Sequence, residues 1–406
     1  MLITPFKKID WVLVFITAAL LTVGLLAIYS ATYAAQSGGS ENFSRQLMLS
    51  LIGFFLMLGM TFFPFRWLQR LAYLFYGLSI LLLFLVFFIG AKGYGAERWI
   101  ILAGIKLQPA ELAKLATILA VAAYVAEYDV NVNRFKHFLV VSFLVFLPMV
   151  LIARQPDLGT SLVFIAMFIP LLFWAGLNRF ALFVIVAPAI TLFVSFNFYA
   201  FLVWMLIVSA VLFFSGRKPI ILISIFVFHI IVGLLTPMMW NQLRPYQQKR
   251  LLTFINPETD PRGAGYQIIQ SKVAIGSGGF WGKGYLNGSQ TQLKFLPAQH
   301  TDFIFSVIGE EWGFAGVLVI LGLFFLLLLY LLHLAVQMRS SFASLTLVGI
   351  ITVLFFHIFV NIGMTVGLAP VTGLPLPFIS YGGSFLVVTL MMMGIAMNFS
   401  ANRYHQ

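Results

Sequence analysis

Long apolar runs separated by short polar turns constrain the fold of this chain more than any other feature. Twelve such runs lie near residues 10–31, 46–64, 70–90, 109–126, 138–153, 158–176, 180–198, 200–215, 219–239, 313–335, 342–365 and 384–400. A helix needs about 20 largely apolar residues to cross the hydrocarbon core of a bilayer. The pattern therefore predicts an all-α polytopic membrane protein of about twelve spans, folded as a single integral domain over residues 1–406.

The composition supports this class and excludes others. Hydrophobic residues make up 61% of the chain and charged residues only 9%, too few to cover a soluble protein of this size. Because the chain contains no cysteine, disulfides and thiolate metal sites are excluded. The net charge of +12 comes from cations scattered among the loops rather than gathered in a stripe, which favours anionic lipid or a phosphate-bearing substrate over nucleic acid.

The loop cations predict the orientation in the membrane. With the N-terminus inside, and the first run interpreted as a span rather than a cleaved signal, every inside segment carries at least one Lys or Arg. The short turn 197–199 and the segment 366–383 are then outside and carry none, although the outside loop 91–108 holds three. This orientation places the large loop, residues 240–312, on the extracytoplasmic side of a cytoplasmic membrane.

The large loop has the composition of a functional segment rather than a linker. It is rich in glycine and aromatic residues, and loops of this length with so much apolar content usually carry function. Its stretch YQIIQSKVAI predicts a short interfacial helix that ends at the glycines that follow. The segment APVTGLPLPFISYGGS is predicted to be unwound and to line a cavity, since proline and glycine prevent a regular helix.

Two charged residues lie where lipid makes them expensive. Glu111 and Lys114 are three residues apart near the start of the fourth run, and therefore share one helix face. Such a pair is either a mutually neutralising structural pair or a functional one, with Lys114 oriented by Glu111 toward an anionic group. Asp157 follows Pro156 between two runs, where it can cap the next helix or serve in substrate binding.

Other candidates lie in the loops of the same predicted face. Arg98 adjoins Trp99, which is either an interfacial anchor or a platform on which a sugar ring stacks. The densest cation cluster of the large loop attracts anionic lipid or holds a pyrophosphate; it consists of Arg244, Lys249 and Arg250.

Asp302 stands at the junction between the large loop and the tenth apolar run. Its carboxylate can cap the helix that follows, a role open also to Thr301, or it can act in catalysis together with the loop cations and aromatic residues. His300, two residues before it, is a further substrate-binding candidate. The six histidines show no metal-ligand spacing, and His229, His333 and His357 are interpreted as packed or hydrogen-bonded helix residues.

Several motifs together resemble one known family. The run GYQIIQSKVAIGSGGFWGKGYLNGSQTQLKFLPAQHTDFIFSVIGEEWG is similar to the SEDS family (shape, elongation, division and sporulation), as are ERW, QPAELAK, RQPDLGTS and PLPFISYGGS. The motifs occur in the family's order and cover nearly the whole chain. Details such as QSKVAIGSGG and NGSQTQ resemble the elongation branch of the family more than its division branch.

The resemblance implies a peptidoglycan glycosyltransferase. Such enzymes polymerise lipid II, the undecaprenyl-pyrophosphate disaccharide-pentapeptide, outside the cytoplasmic membrane, beside a class B penicillin-binding protein and other membrane proteins of the elongation complex. The family's essential aspartate corresponds to Asp302, its loop tryptophan to Trp99, and its embedded acid and lysine to Glu111 and Lys114. Asp302 is then the expected general base, with cations at the departing pyrophosphate.

The chain departs from the family's pattern in two places. Ala110 replaces the serine of the common QPSE motif, with little expected effect. Relatives usually have ten spans, whereas residues 180–239 read as three spans here, which predicts an inserted helical hairpin. No metal or cofactor is required by the residues, although a divalent cation could assist. A lipid II flippase and a non-catalytic scaffold of the cell-wall synthase remain alternative functions.

Overall fold

The computed structural model of the chain describes residues 9–33, 39–89, 91–93, 96–102, 105–128, 130–242, 248 and 264–403. Within these ranges it contains fifteen helices and one small sheet. The first seven helices are α1 Trp11–Tyr33, α2 Gly39–Thr61, α3 Phe65–Arg70, α4 Ala72–Ile89, α5 Pro109–Glu127, α6 Phe135–Arg154 and α7 Leu158–Trp174. The others are α8 Arg179–Val194, α9 Phe198–Phe214, α10 Pro219–Gln242, α11 Ala264–Gly278, α12 Ser289–Gln292, α13 Ile304–Gln337, α14 Ser341–Thr365 and α15 Gly383–Asn402.

The apolar helices confirm the predicted class of fold. Eight described helices are long and apolar enough to cross a membrane by length and composition, namely α1, α2, α5, α6, α10, α13, α14 and α15. Four shorter apolar helices, α4, α7, α8 and α9, account for the remaining predicted runs. The described residues thus form a nearly all-helical polytopic bundle whose apolar helices match the twelve runs of the sequence.

A small antiparallel sheet, which the sequence reading treated only as a loop, lies between α4 and α5. Its strands are β1 Ala91–Gly93, β2 Ala96–Leu102 and β3 Ile105–Leu107, in the order β1-β2-β3. In the register, Ala91 lies opposite Trp99, and Ile100 lies opposite Leu107. The β-branched and aromatic residues of β2 favour a strand, but two strands of three residues are too short for sequence patterns to reveal.

Burial separates a central group of helices from a peripheral one. In α5, 83% of the apolar window is buried by protein, and α14 and α15 are similar at 72% and 78%. The corresponding share of α10 is 11%, so most of its surface is left for lipid. The central helices are best suited to hold a reaction site, because packed side chains fix their positions.

The large loop folds back onto the bundle. α11 confirms the short helix predicted from YQIIQSKVAI, and glycine follows it at Gly279 with a φ of +60°. α13 is interrupted by non-helical backbone at Gly313, so residues 304–312 form a separate buried helical segment before the span proper. This buried segment follows Asp302 directly and therefore places it against the protein.

Two other predictions are confirmed at the helix ends. Backbone between α14 and α15 is non-helical, as the prolines and glycines of residues 369–384 predict. The short turn predicted at residues 197–199 is present, because Asn197 caps α9 by accepting a hydrogen bond from the Ala200 amide at 3.1 Å. We call the side of the bundle where α2, α5, α7 and α15 begin the Asp302 face, and the other side the opposite face.

Candidate active site

Asp302 lies on a turn that is tied to the unwound segment between α14 and α15. The Asn361 amide donates to the backbone oxygen of Asp302 at 2.9 Å and to that of Leu374 at 2.7 Å. At Thr301, the residue before Asp302, the backbone oxygen accepts a hydrogen bond from the Ser380 hydroxyl at 2.7 Å. These bonds fix residues 300–302 alongside residues 372–381, so that the position of Asp302 depends on both segments.

The carboxyl of Asp302 is held in a protein environment rather than at a helix cap. Phe303 occupies the N-cap position of α13, without a side-chain cap, so the alternative role of Asp302 as the cap was wrong. Burial raises the pKa of Asp302 to about 6, and a hydrogen bond from the Thr301 side chain only partly opposes the rise. The burial of this carboxyl in the protein therefore determines the direction of its pKa shift.

His300 belongs to the same turn and contacts Tyr381 of the unwound segment. Its ring lies edge-on to that of Tyr381 with 5.5 Å between centroids, and the Tyr381 amide donates to the His300 oxygen at 3.0 Å. Burial lowers the pKa of His300, so its ring is neutral at neutral pH. Burial raises the pKa of Tyr381, while the charge of Arg45 on α2 lowers it, which places Arg45 near this ring.

Glu111 and Lys114 form an enclosed ion pair on α5. Their charged atoms, Nζ of Lys114 and Oε2 of Glu111, are 2.7 Å apart, and both side chains are buried. The Lys114 Nζ also lies 3.0 Å from Nε2 of His357, whose Nδ1 is 3.1 Å from the Pro375 oxygen. This geometry is that of a mutually neutralising structural pair, one of the two alternatives drawn from the sequence. Lys114 does not reach an open pocket here, and its substrate-binding role stays a prediction.

Arg98 and Asp157 meet where β2 approaches the start of α7. Asp157 caps α7 by accepting from the Thr160 amide at 3.1 Å, which confirms the capping interpretation. The Arg98 Nη1 lies 3.7 Å from the second Asp157 oxygen, and the guanidinium also donates to the Gln155 and Pro156 carbonyls. Arg98 is therefore fixed in position while its side chain stays 29% exposed, enough to contact an anion.

Close packing connects the start of α7, where Arg98 and Asp157 meet, to the turn that carries Asp302. A Cβ added at Gly159, the second residue of α7, would lie 2.6 Å from the Thr372 oxygen. A Cβ added at Gly373 would lie 3.5 Å from Oδ2 of Asp302. The unwound segment thus runs from the N-terminus of α7 to Asp302, and it relates the two carboxylates without bringing them into contact.

For the other predicted residues, the structure describes no contact with Asp302. Trp99 is half-buried on β2, next to Arg98, and no described contact joins it to Asp302. Arg244, Lys249 and Arg250 lie outside the described residues. The three helix histidines are hydrogen-bonded as predicted, His229 to Thr191 and His333 to Gln337, besides His357.

Two acids that the sequence reading did not select hold the large loop in shape. Glu310 is buried and accepts from the Gln290 and Thr291 amides at 2.9 and 3.0 Å and from the Lys283 ammonium at 2.8 Å. Glu311 accepts from the Ser30 hydroxyl of α1 at 2.5 Å. Two consecutive acids in an apolar run are costly unless they have partners, and this signal could have identified them from sequence.

The fold and the site together define a class of protein. It is a polytopic membrane protein in which the half-buried carboxyl of Asp302, with a raised pKa, lies between a structured loop and an unwound segment. Within the described ranges, no group of three or more His, Asp or Glu side chains could hold a metal ion. The arrangement suits proton transfer at a membrane surface.

Comparison with known proteins identifies the family. A model of the FtsW/RodA/SpoVE family, described as cell cycle protein, matches residues 11–204 and 197–405, and the chain belongs to that family. It is 37% identical to the peptidoglycan glycosyltransferase MrdB of Escherichia coli, over 98% of this chain and 97% of the relative. It is 34% identical to the peptidoglycan glycosyltransferase RodA of Treponema pallidum, over 97% and 98% of the two chains.

Solved structures agree with the sequence relatives. A chain from a study of polymerization and crosslinking by a peptidoglycan synthase complex superposes with a TM-score of 0.74 at 33% identity, covering 98% of this chain and 99% of that one. The rod shape determining protein RodA of Thermus thermophilus gives a TM-score of 0.65 at 29% identity, covering 98% of each chain. The likeness to the elongation branch of the family therefore holds for sequence and fold alike.

Proposed function

We propose that this chain is a peptidoglycan glycosyltransferase that polymerises lipid II into glycan strands during cell elongation. Relatives over nearly its full length carry that activity in their names. The observation that carries the proposal for this chain is the half-buried Asp302 carboxyl, whose pKa of about 6 suits a proton acceptor near neutral pH. An exposed aspartate, with a pKa near ~3.9, would be a much weaker base.

In the proposed reaction, Asp302 acts on the acceptor sugar. The 4-hydroxyl oxygen of an N-acetylglucosamine attacks the anomeric carbon of N-acetylmuramic acid, and its proton passes to the Asp302 carboxylate. A glycosidic bond forms while the bond from the anomeric carbon to the lipid pyrophosphate breaks. The unwound segment at Leu374 and the Asn361 amide hold the turn of Asp302, so the base is positioned before substrate binds.

Positive charge is needed where the pyrophosphate departs. Arg98 suits this role because its guanidinium is fixed by the Gln155 and Pro156 carbonyls yet remains partly exposed. Arg244, Lys249 and Arg250 are retained as further candidates from the sequence alone. The enclosed Lys114 would contribute through position, since His357 links it to the Pro375 carbonyl beside the reaction site. The proposal invokes no resident cofactor, although a divalent ion could assist the departing pyrophosphate.

The proposed setting is the outer surface of a bacterial cytoplasmic membrane. The loop cations favour an orientation with the Asp302 face outside. The partner would be a class B penicillin-binding protein that crosslinks the product, together with other elongation proteins. Support comes from the structural neighbour, whose study concerns coordinated polymerization and crosslinking.

Polymerisation of labelled lipid II by the purified chain, with and without a class B penicillin-binding protein, tests the function. Glycan chains support the proposal, movement of lipid II across vesicles without chains favours a flippase, and neither outcome favours a scaffold. Asp302→Ala and Asp302→Asn should abolish chain formation, because no proton acceptor remains. Glu127→Gln, which changes an exposed carboxylate at the opposite face, is the matched control and should stay active. Full activity of a folded Asp302→Asn variant would overturn the assignment.

A further inference from the structure

A cavity that the proposed reaction does not use lies at the opposite face, between α6, α8 and α10. Its volume is about 350 Å³, within the range of small-ligand pockets. Most of the wall is apolar, with Phe138 of α6, Val184 of α8 and Ile221 of α10 among its residues, and its polar members are Asn133, Asn178 and Arg217. It lies where these helices begin, and hence at the depth where lipid headgroups meet acyl chains.

Polar contacts hold the turns around the mouth of this cavity. The Asn133 side chain donates to the Gly176 oxygen at 2.9 Å and accepts from the Asn178 side chain at 2.6 Å, which ties the α5–α6 loop to the α7–α8 turn. From the α9–α10 turn, the Arg217 guanidinium lies 5.4 Å from the centre of the Phe180 ring. This cation–π contact orients Arg217 over the mouth while leaving its N–H groups available.

The chain around the mouth carries more positive than negative charge, with five Lys or Arg residues against two acids, Glu127 at the end of α5 and Asp129 in the α5–α6 connection. Five exposed cations lie on the turns around the mouth or in the first turn of the helix that follows, and none makes an ion pair with a described residue: Arg134, Lys136, Arg179, Arg217 and Lys218. A basic surface next to an apolar cavity is complementary to a ligand with an anionic head and an apolar tail. A free anion would leave the apolar cavity unfilled, and a neutral hydrocarbon would leave the cations without a charge partner.

We propose that this cavity binds one anionic glycerophospholipid, with its phosphate at Arg217 and an acyl chain between α6, α8 and α10. Two walls of the site come from residues 180–239, the segment in which the sequence predicts an inserted helical hairpin. The lipid thereby links the peripheral helices α8 and α10 to α6 and closes a gap that side chains leave open. The surrounding bilayer supplies the ligand, so the site needs no soluble partner.

Native mass spectrometry of the full chain in detergent, titrated with phosphatidylglycerol, tests this site. We expect one tightly retained lipid per chain, and a roughly tenfold weaker affinity after Arg217→Gln, equal to about 1.4 kcal/mol. The unchanged chain should bind phosphatidylcholine no more tightly than the Arg217→Gln variant binds phosphatidylglycerol. Arg339→Gln, a cation of the same face outside the cavity lining, is the matched control and should bind as the unchanged chain does.

A second variant separates the cavity from the charge. Ala181→Trp fills the space from its α8 wall and leaves the cations in place, so it should abolish the retained lipid. The melting temperature and the lipid II polymerisation rate of each variant report whether it folds. Phosphatidylglycerol binding that is unchanged in folded Arg217→Gln or Ala181→Trp protein would overturn the proposal, as would equal affinity for phosphatidylcholine. These results are independent of whether Asp302 is the base.

Discussion

At the scale of single residues, the raised pKa of Asp302 predicts the pH dependence of the reaction. Burial raises this pKa to about 6, and only the deprotonated carboxylate can accept a proton. The polymerisation rate should therefore increase as the pH rises through about 6, and it should fall roughly tenfold for each unit below that value. Initial rates of lipid II polymerisation between about pH 4.5 and pH 8 measure this profile.

His300 provides the control, because it is the titratable neighbour that could also produce an acid limb. Burial lowers its pKa from the ordinary histidine value, so its protonation also falls on the acid side of neutral pH. His300→Gln should keep the midpoint near that of Asp302 even if the overall rate decreases. A midpoint that disappears in His300→Gln would assign the limb to the histidine instead.

Asn361 is predicted to position the base rather than to react. Its buried amide donates to the backbone oxygens of Asp302 and Leu374, and Asn361→Ala leaves both without this donor. We expect a loss of stability of about 1–3 kcal/mol and a fall in polymerisation rate of up to about a hundredfold. Thermal unfolding in detergent and initial rates measure the two effects.

Asn398 offers a matched control at the opposite face. It is equally buried, and its amide donates to the carbonyls of Met60, Thr61 and Phe63 at 2.6–3.1 Å. Asn398→Ala should lose similar stability but retain most of its activity, since it holds no part of the site. Equal losses of activity in the two variants would mean that Asn361 acts only through general stability.

At the scale of secondary structure, the packing of α11 on α13 connects the large loop to the base. A Cβ at Gly278 would lie 2.0 Å from the Gly309 oxygen, and that backbone belongs to the buried segment after Asp302. Gly278→Ala should force the helices apart, lowering stability by about 1–3 kcal/mol and reducing activity. Thermal unfolding and initial rates again provide the measurement.

The same helix contains the control for this prediction. A Cβ at Gly276 would meet no atom within 4 Å, so Gly276→Ala should be neutral or stabilise by up to about 1 kcal/mol through helix propensity. If both alanine variants behave alike, close approach at Gly278 is not what holds the loop.

The elements differ in how far the sequence could predict them. α11 and the unwound segment follow from local signals, namely an apolar run closed by glycine and a cluster of prolines and glycines. The cap at Asp157 is also local. The enclosure of Lys114 is not local, because His357 lies 243 residues away in sequence and meets it only through the packing of α14 on α5. The approach of Arg45 on α2 to the Tyr381 ring is non-local in the same sense.

At the scale of the whole molecule, the periodicity of apolar runs predicted the bundle, since each span is recognisable from its own composition. Which helices are central could not be predicted in this way. α10 and α14 have similar mean hydropathy, 2.5 and 2.3, yet the buried share is 11% for one and 72% for the other. Lipid and protein interiors are both apolar, so hydropathy alone does not distinguish a helix that faces lipid from one that faces protein.

The orientation of the bundle can be tested directly, because the chain contains no cysteine. Trp281 follows α11 in the large loop and is 80% exposed, whereas Lys218 is exposed in the α9–α10 turn of the opposite face. A membrane-impermeant maleimide should label Trp281→Cys in intact cells but label Lys218→Cys only after permeabilisation. The reverse pattern would place Asp302 in the cytosol, away from a glycan built outside, and the proposed reaction could not take place there.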